Sequence, residues 1–351
     1  MKLTTSITHG GRLTEIAAAS DIDITHWLDL STGISPWSWP VPHIPEAVWR
    51  ELPNDNDQLE KIAQSFYQKN DAALAIAGTQ WLIQHLPVCL PKTETVALPE
   101  RGYQEHHKAW LLSGNKLLLY KNQQDLMAKL EQTPEVNTVV LINPNNPSAE
   151  AYSHGICEDI AKLCATRGGY LIVDEAFKDT AAADVPPVDS ANNVICTRSL
   201  GKFFGLAGIR LGFVFGPTKI IEQLRGIAEP WSVNGPARYI AKQCLQDHKW
   251  HSEQRQRIDA ANQSLYQLLK QLKSQVTSNT VSANLLNGGL FITLKGEQDK
   301  IACLHNFLLS QAIYCRVFDP IAGHNLLRFG LCDTHGLERL SRAITTYMAK
   351  S

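Results

Sequence analysis

Between Ala72 and Gly216, short apolar runs alternate with helical patterns, and this alternation leaves the chain few folds to choose from. The runs are ALAIAG, TVALP, NTVVLINP, GGYLIVDEA, NVICTRS and IRLGFVFG. Continuous apolar runs of this length, separated by amphipathic stretches, describe strands buried on both faces. They predict an α/β domain built on a mostly parallel, helix-covered sheet. Several runs end in polar or Gly-rich residues where the next helix should begin: Gly78-Thr79, Asn143 to Asn146, and Asp174. Open α/β sheets bind ligands beyond the carboxyl ends of their strands, so chemistry is expected there.

After Gly216 comes a helical tract broken near Pro230 to Pro236. It is followed by GLFITL, a helix over Asp299 to Gln311, the runs AIYCRVFD and NLLRFGL, and a last helix from Thr334. These elements predict a smaller α+β domain. At about 150 residues per domain, the 351 residues suit a large domain with a smaller companion. The boundaries read as an N-terminal segment 1–45 lying over the active site and the small domain, a large domain 46–235 and a small domain 236–351. The first fifty residues, rich in Pro and Trp (SPWSWPVPHIP), show no regular pattern and are expected to run over the surface.

Apolar residues make up 44% and charged residues 19%, enough for a packed core. Lys+Arg 33 against Asp+Glu 34 leaves a formal charge of -1, so no global field recruits nucleic acid or an anionic membrane. Met1 to Ser20 lacks an apolar stretch suited to a signal peptide, and no run approaches the ~20 residues of a membrane span. A cytoplasmic protein is expected. The 8 cysteines form no C-x-x-C pair. They read as reduced packing thiols rather than staples or metal ligands.

The segment from Ser199 to Gly212, S-L-G-K-F-F-G-L-A-G-I-R-L-G, sets Lys202 in a Gly-rich turn between two strand patterns, with Arg210 further on. Taken alone, Lys202 reads as a solvated turn lysine and Asp174 as a helix cap. A carboxylate closing the buried run YLIVD, however, needs a cationic partner. Asn146 follows a strand in N-P-N-N-P-S, and Gly78-Thr79-Gln80 opens a helix whose amides suit a phosphate. Together these residues describe a cofactor with a basic ring nitrogen, a phenolic oxygen, a phosphate and an aldehyde for a lysine, which is pyridoxal 5'-phosphate.

The order Gly-Thr-Gln, Asn-Pro, Asp-Glu-Ala-Phe and Ser-x-x-Lys-x-x-Gly-x-x-Gly-x-Arg resembles the aspartate-aminotransferase fold-type family of pyridoxal-phosphate enzymes over essentially the whole chain. The resemblance implies fold type I and a homodimer. It implies that Lys202 carries the cofactor covalently, that Asp174 pairs with the pyridine nitrogen and that Asn146 donates to the ring hydroxyl. Tyr103 would stack on the ring, unless it is an ordinary packing aromatic. Gly78, Thr79, Gln80, Ser199 and Arg210 would line the phosphate end, with Phe177 beside the ring.

His9-Gly10-Gly11-Arg12 and the L-S-T-G-I-S-P segment around Gly33 and Ile34 resemble the threonine-phosphate decarboxylases of cobalamin biosynthesis. The nearby histidinol-phosphate aminotransferases usually carry Tyr where this chain has Phe177. The resemblance implies a small phosphorylated amino acid as substrate, bound by His9, Gly10, Arg12, Gly33, Ile34, Arg316 and Arg328. A glycine pair between His and Arg makes physical sense as a phosphate clamp, although His9 also reads as a plain tail residue. Related enzymes carry a Tyr-Pro-Asp whose hydroxyl reaches the partner subunit's cofactor phosphate. Here Leu52 replaces that Tyr. Two reactions fit the motifs: decarboxylation of L-threonine O-3-phosphate, or transamination of another phosphorylated amino compound. They differ in which substituent of the α-carbon stands perpendicular to the ring. A cofactor-binding regulator would need an added partner domain, for which the motifs leave no segment.

Overall fold

In the computed structural model, residues 9–180, 193–278 and 282–350 are described. Residues 1–8 of the N-terminal segment lie outside them. In chain order, the strands among the described residues are β1 Leu28–Leu30, β2 Ala72–Ile76, β3 Thr95–Pro99, β4 Lys116–Tyr120, β5 Thr138–Ile142, β6 Leu171–Asp174, β7 Val194–Ser199, β8 Gly212–Gly216, β9 Asn284–Asn287, β10 Phe291–Glu297, β11 Ile313–Val317 and β12 His324–Gly330. They fall into two sheets, in two compact units: Ser38–Asn146 with Glu150–Glu253, and the described residues of Met1–Trp37, Pro147–Ala149 and Gln254–Ser351.

The larger unit holds a seven-stranded sheet in the order β2-β8-β7-β6-β5-β3-β4. Strands β3 to β7 run parallel, and β8 is antiparallel to both β7 and β2. Successive residues serve opposite faces. Val139, Leu141, Leu171, Val173 and Cys196 enter one apolar cluster, whereas Val140, Ile172 and Ile195 enter the other. Burial on both faces is the physical reason that these strands read as unbroken apolar runs. The register aligns Ile142 with Asp174 and Asp174 with Thr197, so the strand ends carrying polar residues share one edge.

The smaller unit holds a five-stranded sheet in the order β1-β11-β12-β10-β9. Here the reading of the first fifty residues as irregular is corrected. Leu13–Ala18 and Glu46–Arg50 are helical, and Leu28–Leu30 pairs in parallel with Ile313–Cys315. A three-residue strand has too little pattern to be seen without its partner, and that partner lies at the far end of the chain. The 8 cysteines are all free, with only Cys303 exposed. No helix among the described residues is long and apolar enough to cross a membrane.

Candidate active site

The carboxyl ends of β2, β5, β6 and β7 gather most of the residues selected in the larger unit. Gly78, at φ 81° and ψ 157°, precedes the helix Thr79–Cys89, whose N-terminus has no side-chain cap. A Cβ on Gly78 would stand 2.8 Å from Arg210 Nη2, so glycine is what lets the guanidinium lie against the helix start. Arg210 takes φ 53°, a left-handed conformation costly for a side-chain-bearing residue and of the kind found at binding sites. Ile76 is opposite Gly212, and Gly212 is opposite Ser199. The helix start, Arg210 and Ser199 therefore share one end of the sheet. Free helix amides, a guanidinium and a hydroxyl are all donors to an anion, and this donor set fits the phosphate of pyridoxal phosphate.

Asp174 closes β6 at 4% exposure. His106 Nε2 lies 3.1 Å from its Oδ2, and the Ala176 amide donates to Oδ1 at 3.0 Å. An ionised carboxylate only accepts, so His106 carries its proton on Nε2. Tyr103 donates its hydroxyl to Gln80 Oε1 at 2.9 Å, and Gln80 Nε2 donates to Glu105 Oε2 at 3.0 Å. Gln80 thus orients Tyr103. Burial, with Glu105 and Asp174 adding to it, pushes the Tyr103 hydroxyl up to about 12. Lys202 Nζ stands 5.2 Å from the centroid of the Phe177 ring, within cation–π reach. Asn146 is half-buried in the turn after β5. In that turn Asn143 donates its amide to Asp174 O at 2.8 Å and braces Tyr152 from its side chain.

Glu175, beside Asp174, is fully buried among cations. Lys178 Nζ is at 2.6 Å, Arg198 Nε at 3.0 Å and Lys69 Nζ at 3.8 Å, while Asp179 Oδ1 lies 2.7 Å from Arg198 Nη1. Burial alone would raise the Glu175 carboxyl, but Arg198, then Lys69 and Lys178, outweigh it and hold it at about 2. An unfolded glutamate titrates near ~4.3. Ionised Glu175 therefore stabilises the fold above that pH, and the contribution is lost as pH falls through the folded value. Glu175→Gln is expected to cost about 3–5 kcal/mol at neutral pH, because the buried cations lose their shared counter-charge. It should also flatten the acid limb of the melting-temperature profile between pH ~4.5 and ~2. Circular dichroism melts across pH check this; an acid limb parallel to the parent's would place the acid-labile group elsewhere.

In the smaller unit, Arg316 and Arg328 stand directly opposite each other on β11 and β12. Like charges in that position repel unless an anion joins them. Arg328 is 5% exposed, and burial, with Arg316 adding to it, draws it down to about 10. The Phe318 ring lies 5.1 Å from the Arg316 guanidinium and 5.8 Å from that of Arg328. Arg328 Nη2 donates to Ser31 O. Ser31 also organises the N-terminal segment: its Oγ accepts from the Gly11 amide at 2.8 Å, and a Cβ on Gly10 would strike Ser31 O at 2.3 Å. Arg12 makes a forked pair with Glu15, with Nε donating at 2.8 Å. The Gly11 amide and the Arg12 guanidinium are thus engaged within this segment. His9 and Ile34 are half-buried and Gly33 is buried.

The sequence profile described as aminotransferase class I and II matches residues 51–344. The chain belongs to the aminotransferase class I and II family. Among its relatives, the threonine-phosphate decarboxylase of Pseudomonas aeruginosa is 35% identical over 338 residues, covering 96% of each chain. A threonine-phosphate decarboxylase from a Sinorhizobium species is 34% identical over 96% of this chain and 97% of its own. Of the solved structures, histidinol-phosphate aminotransferase from Sinorhizobium meliloti, in complex with pyridoxal-5'-phosphate, shares the fold. Its TM-score is 0.77 over 98% of this chain and 96% of its own, at 16% identity. The aminotransferase class I and II profile begins beyond His9 to Ile34, whereas the two decarboxylases match almost end to end.

Reading this family member from its sequence singles out neither His106 nor the cluster around Glu175. His106 stands three residues after Tyr103 in E-R-G-Y-Q-E-H, and helical i,i+3 spacing is the signal that would point to a shared site. Glu175 extends a buried run, so its need for cations was legible. Which cations answer it is decided by the tertiary fold: Arg198 comes from the neighbouring strand β7, and Lys69 from the loop before β2.

Proposed function

We propose that this chain decarboxylates L-threonine O-3-phosphate to (R)-1-amino-2-propanol O-2-phosphate, using pyridoxal phosphate, in cobalamin biosynthesis. The observation that carries the reading is the near full-length likeness, at 34% and 35% identity, to two relatives bearing the name threonine-phosphate decarboxylase. The arginine pair on β11 and β12 supports it, because a substrate with a carboxylate and a phosphate needs buried positive charge.

Bound pyridoxal phosphate supplies an electron sink for the pair left on the α-carbon when the carboxylate departs as CO2. The helix start at Thr79, Ser199 and Arg210 hold the cofactor phosphate. Asp174, oriented by His106, keeps a proton on the ring nitrogen. Asn146 would donate to the ring hydroxyl, and Phe177, having no hydroxyl of its own, would leave that oxygen to Asn146. Tyr103, fixed by Gln80, would stack on the ring. Arg328, with the Gly33-Ile34 backbone, orients the substrate carboxylate for departure. Arg316, His9, Gly10 and Arg12 serve the substrate phosphate, and Lys202 returns a proton to the α-carbon, completing the exchange of CO2 for H. The reading also places the enzyme in the cytoplasm as a homodimer. Trp49, Leu52 and Trp231 of the larger unit, at 64%, 67% and 53% exposure, are apolar side chains of the kind a partner subunit covers.

Incubation with pyridoxal phosphate, L-threonine O-3-phosphate and an amino-group acceptor, assaying CO2 and keto acid together, tests the reaction. CO2 without keto acid is expected. Keto acid without CO2 would make the enzyme an aminotransferase. Arg328→Lys, which lacks the planar fork, is expected to raise KM for threonine phosphate about 10- to 100-fold. It should leave the absorbance of the bound cofactor unchanged.

A further inference from the structure

We infer that Trp39, Asp247 and Trp250 form a clamp on the turn that carries Lys202, with Trp39 and Asp247 as positioning residues for the reaction. The inference rests on reading Lys202 as the cofactor lysine. It gives a role to the SPWSWP segment, which the chemistry above leaves unused.

The backbone comes first. Trp39 N–H donates to Phe204 O at 2.9 Å, Ser38 Oγ donates to Gly205 O at 2.9 Å, and Gly205 N–H donates to Lys202 O at 3.2 Å. The carbonyls of Lys202, Phe204 and Gly205 are all taken, two of them by donors about as distant in sequence as Ser38 is from Gly205, 167 positions.

Side chains then close a circuit. The buried Trp39 indole donates Nε1 to Asp247 Oδ2 at 3.1 Å, and Asp247 Oδ1 accepts from the Trp250 amide at 3.1 Å. The Trp250 ring stacks on Phe204 at 5.8 Å and 11° and meets Phe203 edge-on at 5.6 Å and 78°. From Phe204 the path returns to Trp39 through the carbonyl it accepts on. Phe203 and Phe204 are both fully buried, so the backbone directly after Lys202 cannot shift without disturbing this packing. A group that acts as nucleophile and proton carrier must be held to within about 0.5 Å of its productive position, and the circuit supplies that constraint.

The test uses the holoenzyme. Trp39→Phe keeps the backbone N–H and an aromatic ring but removes the indole donor. Asp247→Ala removes both acceptors, and Asp247→Asn keeps one. Trp39→Phe and Asp247→Ala are expected to lower kcat about 5- to 10-fold with KM for L-threonine O-3-phosphate unchanged. They should also move the pH midpoint of the cofactor's visible absorbance by about half a unit or more. Asp247→Asn should fall between them and the parent. A lowered melting temperature with kcat and the absorbance midpoint unmoved would overturn the clamp and leave a merely structural contact. If Asp247→Ala does not fold, Trp39→Phe and Asp247→Asn decide the same question. Borohydride reduction and peptide mapping of the parent separate the two readings. A label outside Ser199–Arg210 overturns the lysine assignment and the clamp together, whereas a label on Lys202 with unmoved variants overturns the clamp alone.

Discussion

Lys202→Ala is expected to abolish turnover and to remove the visible absorbance of the lysine-bound cofactor, while pyridoxal phosphate still binds through its phosphate end. The two losses have one cause. Lys202 is the lysine of the turn between β7 and β8, and in the proposed reaction it would serve as covalent anchor, nucleophile and proton carrier, roles that a methyl group cannot fill. The fall in kcat should be on the order of 10³-fold or more, since nucleophilic and general-acid contributions are lost together. Borohydride reduction of the parent enzyme followed by peptide mapping should label the peptide Ser199–Arg210. Turnover within an order of magnitude of the parent would show that the reaction does not pass through this lysine.

Asp174→Asn should retain cofactor and lose about 10²-fold or more in kcat, with a smaller change in KM. The amide preserves size and hydrogen bonding but cannot balance a protonated ring nitrogen, and an uncompensated charge in a 4% exposed position is costly. His106, 3.1 Å from the carboxylate, makes the position more demanding still, because its Nε2–H needs an acceptor where the variant can present an amide N–H. Steady-state kinetics with threonine phosphate and a cofactor titration check both halves. Near-normal turnover would mean that another group holds the ring nitrogen protonated.

Much of the larger unit was legible in advance. The run TVALP is β3 residue for residue, and NVICTRS contains all of β7, because a strand buried on both faces has an apolar signal in every position. Strand β4, Lys116–Tyr120, was not read. It lies at the sheet edge with an exposed first residue and partly covered centre, so its pattern is too weak to separate from the helix before it. Strand β9 is exposed at both ends and half-buried between them, and β1 is three residues long; each gains its identity from the strand it pairs with.

The sequence by itself determined the order of the chemical groups along the chain: a glycine-threonine helix start, an asparagine turn, an aspartate closing a strand and a lysine in a glycine-rich turn. Those follow from periodicity and turn chemistry, which act over a few residues. Only the tertiary structure decided which groups meet. It set Arg210 against Gly78, His106 on Asp174, Arg316 opposite Arg328, and Trp39 on the carbonyl of Phe204. It also engaged Arg12 with Glu15, a contact that the phosphate-clamp reading of the N-terminus did not foresee. Local pattern specifies which side of an element is buried. Strand register and packing specify what it is buried against, and a one-residue change of register would exchange every facing pair.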